Sequence, residues 1–463
     1  MTHPILLVAA RTFTRRPSSN HRIPQPILRR ATSISIAASS LYPSSASPTL
    51  TKRRHNYFSS NRTINTDTLI IGGGPIGLST AFHLASQRQC RSSRSQSPSI
   101  TIIERDPTYA LASATLSAGG IRQQFSVKEN VQMSLYGRDF LRTIDDLLRV
   151  VPNNNDQDYE DEVDVHFQEH GYLFLASTPQ GKEQLIQNHK TQQSAGCHHH
   201  LLLSPSQLQH RFPWLNTEDI LLGSFGEKGE GWFDPWAYIR GLTRKVKSMG
   251  VEIVKGTPIS AVRNNNDGDD GRVLSVDVAL LLGNNDNANK NNGHNVRRYH
   301  VNHVVNAAGA HCRDLMDTLA GEERALQHAI PVEPRKRCIF FIHCATTSRQ
   351  DPTAIVPRVA PLTVCPVSNV YFRSEGRGVV AGNDDDDDDC RQQQQQQQPA
   401  TGNFLCGVSP PKEFDEAIQD MGQLEYADHE LWEEIIWPAL YHRVPAFGEV
   451  KVKSSWAGLY ECE

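Results

Sequence analysis

The chain contains no C-x-x-C pair. Its nine cysteines are Cys90, Cys197, Cys312, Cys338, Cys344, Cys365, Cys390, Cys406 and Cys462, odd in number and scattered. That pattern indicates neither a disulfide framework nor a zinc site, and it suits a reducing compartment. No apolar run approaches the ~18 residues of a transmembrane helix; Ile5 to Ala10 is far too short. Hydrophobic residues make up only 38% of the chain, below the usual globular share. The deficit sits in polar tracts such as Asn153 to Asn155, Asn264 to Asn266, Asp384 to Asp389 and Gln392 to Gln398, which interrupt otherwise ordinary α/β sequence.

Acidic residues are also missing from the start of the chain. None precedes Asp67, whereas Arg11, Arg15, Arg16, Arg22, Arg29, Arg30, Lys52, Arg53, Arg54 and Arg62 do, among many Ser and Thr. An acid-free, Arg- and Ser-rich leader is the composition of an organellar transit peptide, and residues 1–66 read as that peptide with a linker. The alternative is a basic tail that touches nucleic acid, which would call for a basic body as well. Without residues 1–60 the chain keeps 38 Lys and Arg against 51 Asp and Glu, so the net charge moves from −4 to −13. Nucleic-acid binding is therefore not expected. Mitochondrial import is, with cleavage between Arg54 and Ser60.

What is present begins with Gly72-Gly73-Gly74-Pro75-Ile76-Gly77, a G-x-G-x-x-G run. It follows the β-type stretch Thr68 to Ile71 and opens an Ala- and Leu-rich helix over Leu78 to Ser86; Ile100 to Ile103 then closes a β-α-β unit. In such a unit Gly72 permits the tight turn, Gly74 lets a pyrophosphate approach backbone N–H groups, and Gly77 lets helix and strand pack closely. Glu104 ends the second strand, where a carboxylate can accept hydrogen bonds from a ribose diol. Its spacing from the glycines is longer than usual, and the Ser/Arg loop at Cys90 to Ser99 accounts for the excess. A glycine turn without a ligand is the competing reading. The motif itself does not separate FAD from NAD.

Further along, the pattern predicts a helix over 127–150, a strand pair over Val165 to Ala176, and a helix from Asp234-Pro235 to Met249 stopped by Gly250. Strands are expected at Val251 to Val254, Val273 to Leu282 and Tyr299 to Ala307. Sheet is expected over 331–374, a helix at His429 to Leu440, and a strand at Lys451 to Leu459. Cys197 to His200 reads CHHH, but adjacent side chains diverge and no carboxylate is spaced to match. Asp384 to Asp389 lacks the alternation and glycine of a calcium loop. No metal is expected.

Two later segments separate the cofactors. Ala112 to Arg122 (ASATLSAGGIR) is a small-residue stretch ending in Gly119-Gly120, and Val304 to Ala310 (VVNAAGA) is a strand that runs into a second glycine turn. With the first motif they resemble the flavoprotein amine oxidase family that includes D-amino-acid oxidase, sarcosine oxidase and dimethylglycine dehydrogenase. Glu104 to Phe125, Trp232 to Tyr238 (WFDPWAY), Pro331 to Arg337 (PVEPRKR), Arg443 to Phe447 (RVPAF) and Trp456 to Gly458 (WAG) are similar to one branch of it, implicated in assembly of mitochondrial respiratory complex I. The resemblance spans roughly residues 67–460 apart from the low-complexity insertions.

The resemblance implies an α/β fold with an α+β substrate lobe, in which a Rossmann-like FAD-binding domain is interleaved with a mixed-sheet substrate domain. The FAD-binding parts would be 67–164 and 231–330. The substrate parts would be 165–230 and 331–450, the latter with the Asp/Gln insert 383–399, and 451–463 would start a returning FAD-domain segment. It places Gly72, Gly74, Gly77, Glu104 and Arg105 on the ADP half of FAD. Ser113, Ser117, Gly119 and Gly120 would lie near the pyrophosphate and flavin, and Ala308 and Gly309 would back the cofactor. Arg122 would pair with a substrate carboxylate, the alternative being an ordinary sheet-edge salt bridge. Of Arg335, Lys336 and Arg337, strand alternation keeps at least one out of any shared pocket.

Two departures stand out. His311 occupies a position where the family commonly has Trp. The family also continues past the W-A-G segment into a strand, glycine turn and helix that embrace the flavin, whereas this sequence stops at Glu463. The expectation is a cofactor domain cut short at its C-terminus, with weak retention of FAD. FAD should be non-covalent, because Leu116-Ser117 stand where the dimethylglycine dehydrogenase branch has the Trp-His pair that attaches its flavin. Two roles stay open: hydride transfer from an amine or amino acid to FAD, or a non-catalytic assembly protein whose FAD site is structural or lost. Expected partners are complex I assembly intermediates and the matrix face of the inner membrane, bound peripherally.

Overall fold

A computed structural model of the chain describes residues 63–89, 99–150, 162–263, 274–281, 296–320, 330–345, 355–376, 402–410, 415–418 and 420–462. The basic leader and the Asn, Asp and Gln tracts lie outside the described residues, and so do the expectations made for them.

The chain runs through β1 (Thr63–Ile71), α1 (Pro75–Gln89), β2 (Ile100–Glu104), β3 (Gly120–Ile121), α2 (Lys128–Arg142), α3 (Ile144–Leu148) and β4 (Tyr172–Ala176). It continues through α4 (Pro179–Ser194), β5 (His200–Leu203), α5 (Pro205–Arg211), β6 (Leu222–Gly226), β7 (Gly231–Trp232), α6 (Pro235–Ser248), β8 (Glu252–Arg263), β9 (Leu274–Leu280), β10 (Val296–Asn306) and α7 (Cys312–Ala320). The remainder is β11 (Glu333–His343), β12 (Leu362–Val364), β13 (Val370–Ser374), β14 (Asn403–Val408), α8 (Trp437–Arg443) and β15 (Lys451–Cys462).

Five strands close on themselves in the order β1-β10-β9-β8-β2. β1 lies parallel to β2 and β10, and the first residues of β8 lie parallel to β2. β9 closes the ring antiparallel to β8 and β10. Leu78, Ala81, Phe82 and Ala85 of α1 are buried, the i, i+3, i+4, i+7 stripe by which a helix seals a sheet. α6 packs beside α1, and the Ser79 and Tyr238 hydroxyls meet at 3.1 Å. The Asp234 carboxylate caps α6 by accepting from the N–H groups of Trp236 and Ala237 at 2.8 and 3.2 Å, and Gly250 at φ +83° ends it.

The second sheet has eight strands in the order β15-β11-β14-β13-β12-β4-β6-β5, antiparallel except for β12 against β4. One of its faces carries the larger apolar core, with Leu173, Phe340, Phe372, Phe404 and Phe447 under the 429–443 helical segment. That segment is α-helical at His429–Leu431, widens into a π turn at Trp432–Ile436 and resumes as α8.

Several expectations change in detail. The helix expected over 127–150 breaks at Thr143 into α2 and α3. The strand pair expected over 165–176 is a single strand, β4, preceded by irregular chain that makes one bridge, Gln168 to Trp232. Residues 451–463 were expected to begin a return to the first sheet. The described part, β15, instead pairs with β11 along its length as an edge strand of the second sheet. Residues 451–462 follow β11 residue for residue, with one irregularity at Phe341/Ile342.

Candidate functional site

A cavity of about 1450 Å³ lies between the C-terminal ends of β1 and β2 and one face of the eight-stranded sheet. All the expected cofactor residues line it except Gly77.

At one end the three motif glycines do three different jobs. Gly72 sits at φ +103°, and a side chain there would overlap the Ala307 carbonyl at the end of β10. Its N–H donates to the Ile103 carbonyl at 2.9 Å, and the Ala307 N–H donates to the Ile71 carbonyl at 2.8 Å, so the turn is tied to both neighbouring strands. Gly77 lies beneath the turn, where a side chain would overlap the Gly72 carbonyl and press on Ile70. A side chain on Gly74 would meet nothing within 4 Å. It borders open cavity at the N-terminus of α1, where backbone N–H groups and the helix dipole favour an anion. The Glu104 carboxylate accepts from the Gly73 N–H at 2.6 Å and from the Asp106 N–H at 2.7 Å, which fixes it at the cavity wall. Beside it the buried Tyr109 phenol is pushed up to about 12, by desolvation first and then by the Glu104 charge.

The small-residue stretch crosses the middle. Ser117 Oγ donates to the Ala114 carbonyl at 2.7 Å and accepts from the Gly119 N–H at 3.1 Å. Gly119 at φ +63° leaves no room for a side chain against the Phe233 carbonyl. Two side chains from the second sheet hold the stretch in place: Trp456 Nε1 donates to the Leu116 carbonyl at 2.8 Å, and Arg373 Nε to the Ala118 carbonyl at 3.0 Å. Ser113 Oγ donates to Glu461 Oε1 at 3.1 Å, and the same oxygen stands over Gly309 at φ +55° in the second glycine turn. Ala308 is held by its N–H on Asn306 Oδ1 at 3.2 Å. Arg105 reaches His311, Nη2 to Nε2, at 3.4 Å.

Arg122 stands at the far end. Its guanidinium carbon lies 4.8, 5.9 and 5.4 Å from the ring centres of Phe125, Tyr172 and Phe174. It also bonds the Tyr172 hydroxyl, and burial raises that phenol's pKa. Among the described residues no carboxylate pairs with Arg122, so the sheet-edge salt bridge is not what the geometry shows. The three basic residues of β11 divide by strand alternation. Arg337 lines the cavity and is clamped by Asp415 at 2.7 and 2.6 Å; Arg335 pairs with Glu333 at 2.6 Å. Lys336 turns to the other face and lies 4.4 Å from the centre of the Tyr426 ring.

Sequence reasoning missed the support beneath Arg122. Glu230 is fully buried and accepts from the N–H groups of Gln123 and Gln124, the latter at 3.0 Å, and from Gln124 Nε2 at 2.8 Å. His200 Nε2 stands 3.4 Å from Glu230 and 3.3 Å from Cys197 Sγ, and His200 Nδ1 lies 2.9 Å from Gln192 Oε1. Burial alone would lower the pKa of His200. Its contacts with Cys197 and Glu230 outweigh that and push it up to about 9. The CHHH run is therefore split: Cys197 and His200 are buried members of this network, and His198 and His199 are exposed. The signal available was Glu230 inside a Gly229-Glu230-Gly231 turn, an odd place for an acid just before the expected WFDPWAY segment.

Comparison with known proteins decides the family. The model of the FAD dependent oxidoreductase family matches residues 67–462. The chain belongs to that family. It is similar to FAD-dependent oxidoreductase domain-containing protein 1 of Xenopus laevis, 36% identical over 407 residues, which cover 85% of this chain and 70% of the relative. Mitochondrial dimethylglycine dehydrogenase of Homo sapiens is 24% identical over 325 residues, covering 68% of this chain and 30% of that one. Among solved structures, L-proline dehydrogenase from P. horikoshii shares the fold with a TM-score of 0.59 at 18% identity, over 87% of this chain and 83% of that one.

The family's cofactor fits these residues. The open space beside Gly74 at the N-terminus of α1 has room for a pyrophosphate, and the Glu104 carboxylate stands at the same cavity wall. The small-residue stretch from Ala112 to Gly120 leaves the middle of the cavity open for the flavin ring.

Proposed function

We propose that this chain is a mitochondrial flavoprotein that oxidises the C–N bond of an amine or amino acid, with Arg122 holding the substrate's carboxylate. The observation that carries the reading is the single cavity that joins the Gly74 cradle to an arginine with no carboxylate partner among the described residues. FAD, when bound, supplies the hydride acceptor. The chain's own residues do the positioning. Gly72, Gly74, Gly77, Glu104 and Arg105 hold or shape the adenosine half, and the stretch from Ser113 to Gly120 with Ala308 and Gly309 flanks the ring. Arg122 offers a planar fork to a carboxylate, its orientation limited by three aromatic rings.

Non-covalent attachment is supported by the cavity wall, which among the described residues holds no cysteine and one histidine, His311. That ring is engaged by Arg105 and lies 3.6 Å from Asp314. The mitochondrial part rests on the acid-free basic leader. A second role, docking on complex I assembly intermediates at the inner membrane, is supported by the motifs that resemble the branch implicated in that assembly. No helix among the described residues is long and apolar enough to cross a membrane.

Purified protein should release its flavin into the supernatant on acid precipitation, and anaerobic N-methyl or primary amino acids should bleach the bound flavin. Arg122→Met should raise KM for such acids about 10- to 100-fold, the value of a charge-assisted hydrogen-bonded pair. An unchanged KM would remove Arg122 from the site. Co-migration with assembly intermediates and no bleaching by any amine would leave the docking role alone.

A further inference from the structure

The wall beyond Arg122 is one face of the eight-stranded sheet, and its register shows what faces the ligand. Phe174 is paired with Val364, Val364 with Tyr371, Tyr371 with Gly407 and Gly407 with Ile339, a row that crosses five strands. Gly407 lets the Tyr371 phenol lie across it: a side chain there would stand 2.6 Å from the Tyr371 hydroxyl. Four of these five residues line the cavity, and so do Leu362 and Met421. The floor is thus a continuous apolar and aromatic surface.

Its charges are already matched. Arg337, the cation on the floor, is clamped by Asp415 and covered by the Tyr460 ring at 5.0 Å. Among the described residues of the floor, Asn369, Ser409 and the Tyr371 hydroxyl add neutral polar groups. A ligand whose carboxylate meets Arg122 and whose remainder lies on this floor gains by burying hydrocarbon. Among the described residues of the floor it would find Arg337 already clamped by Asp415 and no other charged partner for a polar side chain.

We infer that the site selects carboxylates carrying an aromatic or branched apolar side chain over glycine-sized acids. This rests on the reading of Arg122 as the carboxylate anchor and adds the class of side chain. Each buried methylene should contribute about fourfold in affinity, from about 0.8 kcal/mol per methylene, so a phenyl group should give well over tenfold.

The test is calorimetric titration of the FAD-loaded full chain with propionate, 3-phenylpropionate and 3-phenylpropanamide. These probes report binding without turnover. Expected is 3-phenylpropionate at least tenfold tighter than propionate and at least tenfold tighter than the amide. Val364→Thr, which keeps volume but adds a hydroxyl to the floor, should reduce the phenyl preference several-fold. Arg122→Gln should erase the preference for acid over amide. Equal binding of propionate and 3-phenylpropionate, both tighter than the amide, overturns the side-chain inference and leaves the Arg122 reading standing. Acid and amide of equal affinity, both tighter than propionate, keeps the apolar floor and overturns the anchor. No binding by any of the three overturns both.

Discussion

Gly74 and Gly77 are three residues apart in one motif, yet a side chain would have opposite consequences at the two positions. At Gly77 it collides with the backbone of Gly72, so the helix must move off the strand; at Gly74 it enters open cavity. Gly74→Val should therefore melt within a degree or two of the wild-type apoprotein and bind no FAD. Gly77→Val should lose several kcal/mol of stability whether or not FAD is supplied, as overpacking against backbone does. Thermal melts of both apoproteins, beside flavin content after reconstitution, make the comparison; a yellow Gly74→Val protein would sink the cradle. The buried His200 gives a second residue-level expectation. Its folded pKa of about 9 lies above the unfolded value of 6.5. Its contribution is therefore complete below pH 6.5 and is lost as pH rises towards 9, a difference on the order of 3 kcal/mol. Denaturant midpoints should fall across that window in the wild type, and His200→Gln should flatten the extra slope. Parallel pH profiles would show that His200 does not carry a proton on folding.

Among the elements, what could be read from sequence was what is regular and locally punctuated. β1, α1 and β2 announce themselves by a β-branched run, a Pro-started helix and an apolar strand. α6 is bracketed by Asp234-Pro235 and Gly250, and all three residues do in the structure what their positions imply. α4 was missed because it has no apolar stripe: Gln192 is its one buried residue, and its amide bonds the Phe125 carbonyl and His200. β14 was missed because it follows directly on the Asp/Gln tract, where composition argues for loop. The cavity floor was illegible for another reason. Tyr172 and Phe174 share a face of β4 by simple alternation, but their meeting with Val364 and Tyr371 depends on the parallel pairing of β4 with β12, a contact across nearly 200 residues that no local pattern encodes. Arg122 was legible as a candidate. That it stands among rings and above a buried Glu230 was not, because Glu230 and His200 lie on segments remote in sequence from Arg122-Gln123-Gln124.

On the scale of the whole chain, charge sets the first 60 residues apart from the rest. The match to the family begins at residue 67 and the described structure at Thr63, where β1 starts. The basic residues up to Arg54 therefore precede the matched segment, and removing them shifts net charge from −4 to −13. The proposed import signal is cationic, and the field across an energised inner membrane draws positive charge inward at about 2.3 kcal/mol per charge per 100 mV. Protein recovered from mitochondria should begin between Arg54 and Ser60, as read by N-terminal sequencing. A chain beginning at Asn61 should melt at the same temperature as the full-length protein, because it retains all of β1. Replacing Arg11, Arg15, Arg16, Arg29 and Arg30 with Gln should leave the precursor outside the organelle while its melting temperature and flavin content stay unchanged. Recovery of mature protein with Met1 intact, or import that proceeds normally without those arginines, would show that the leader serves some other end.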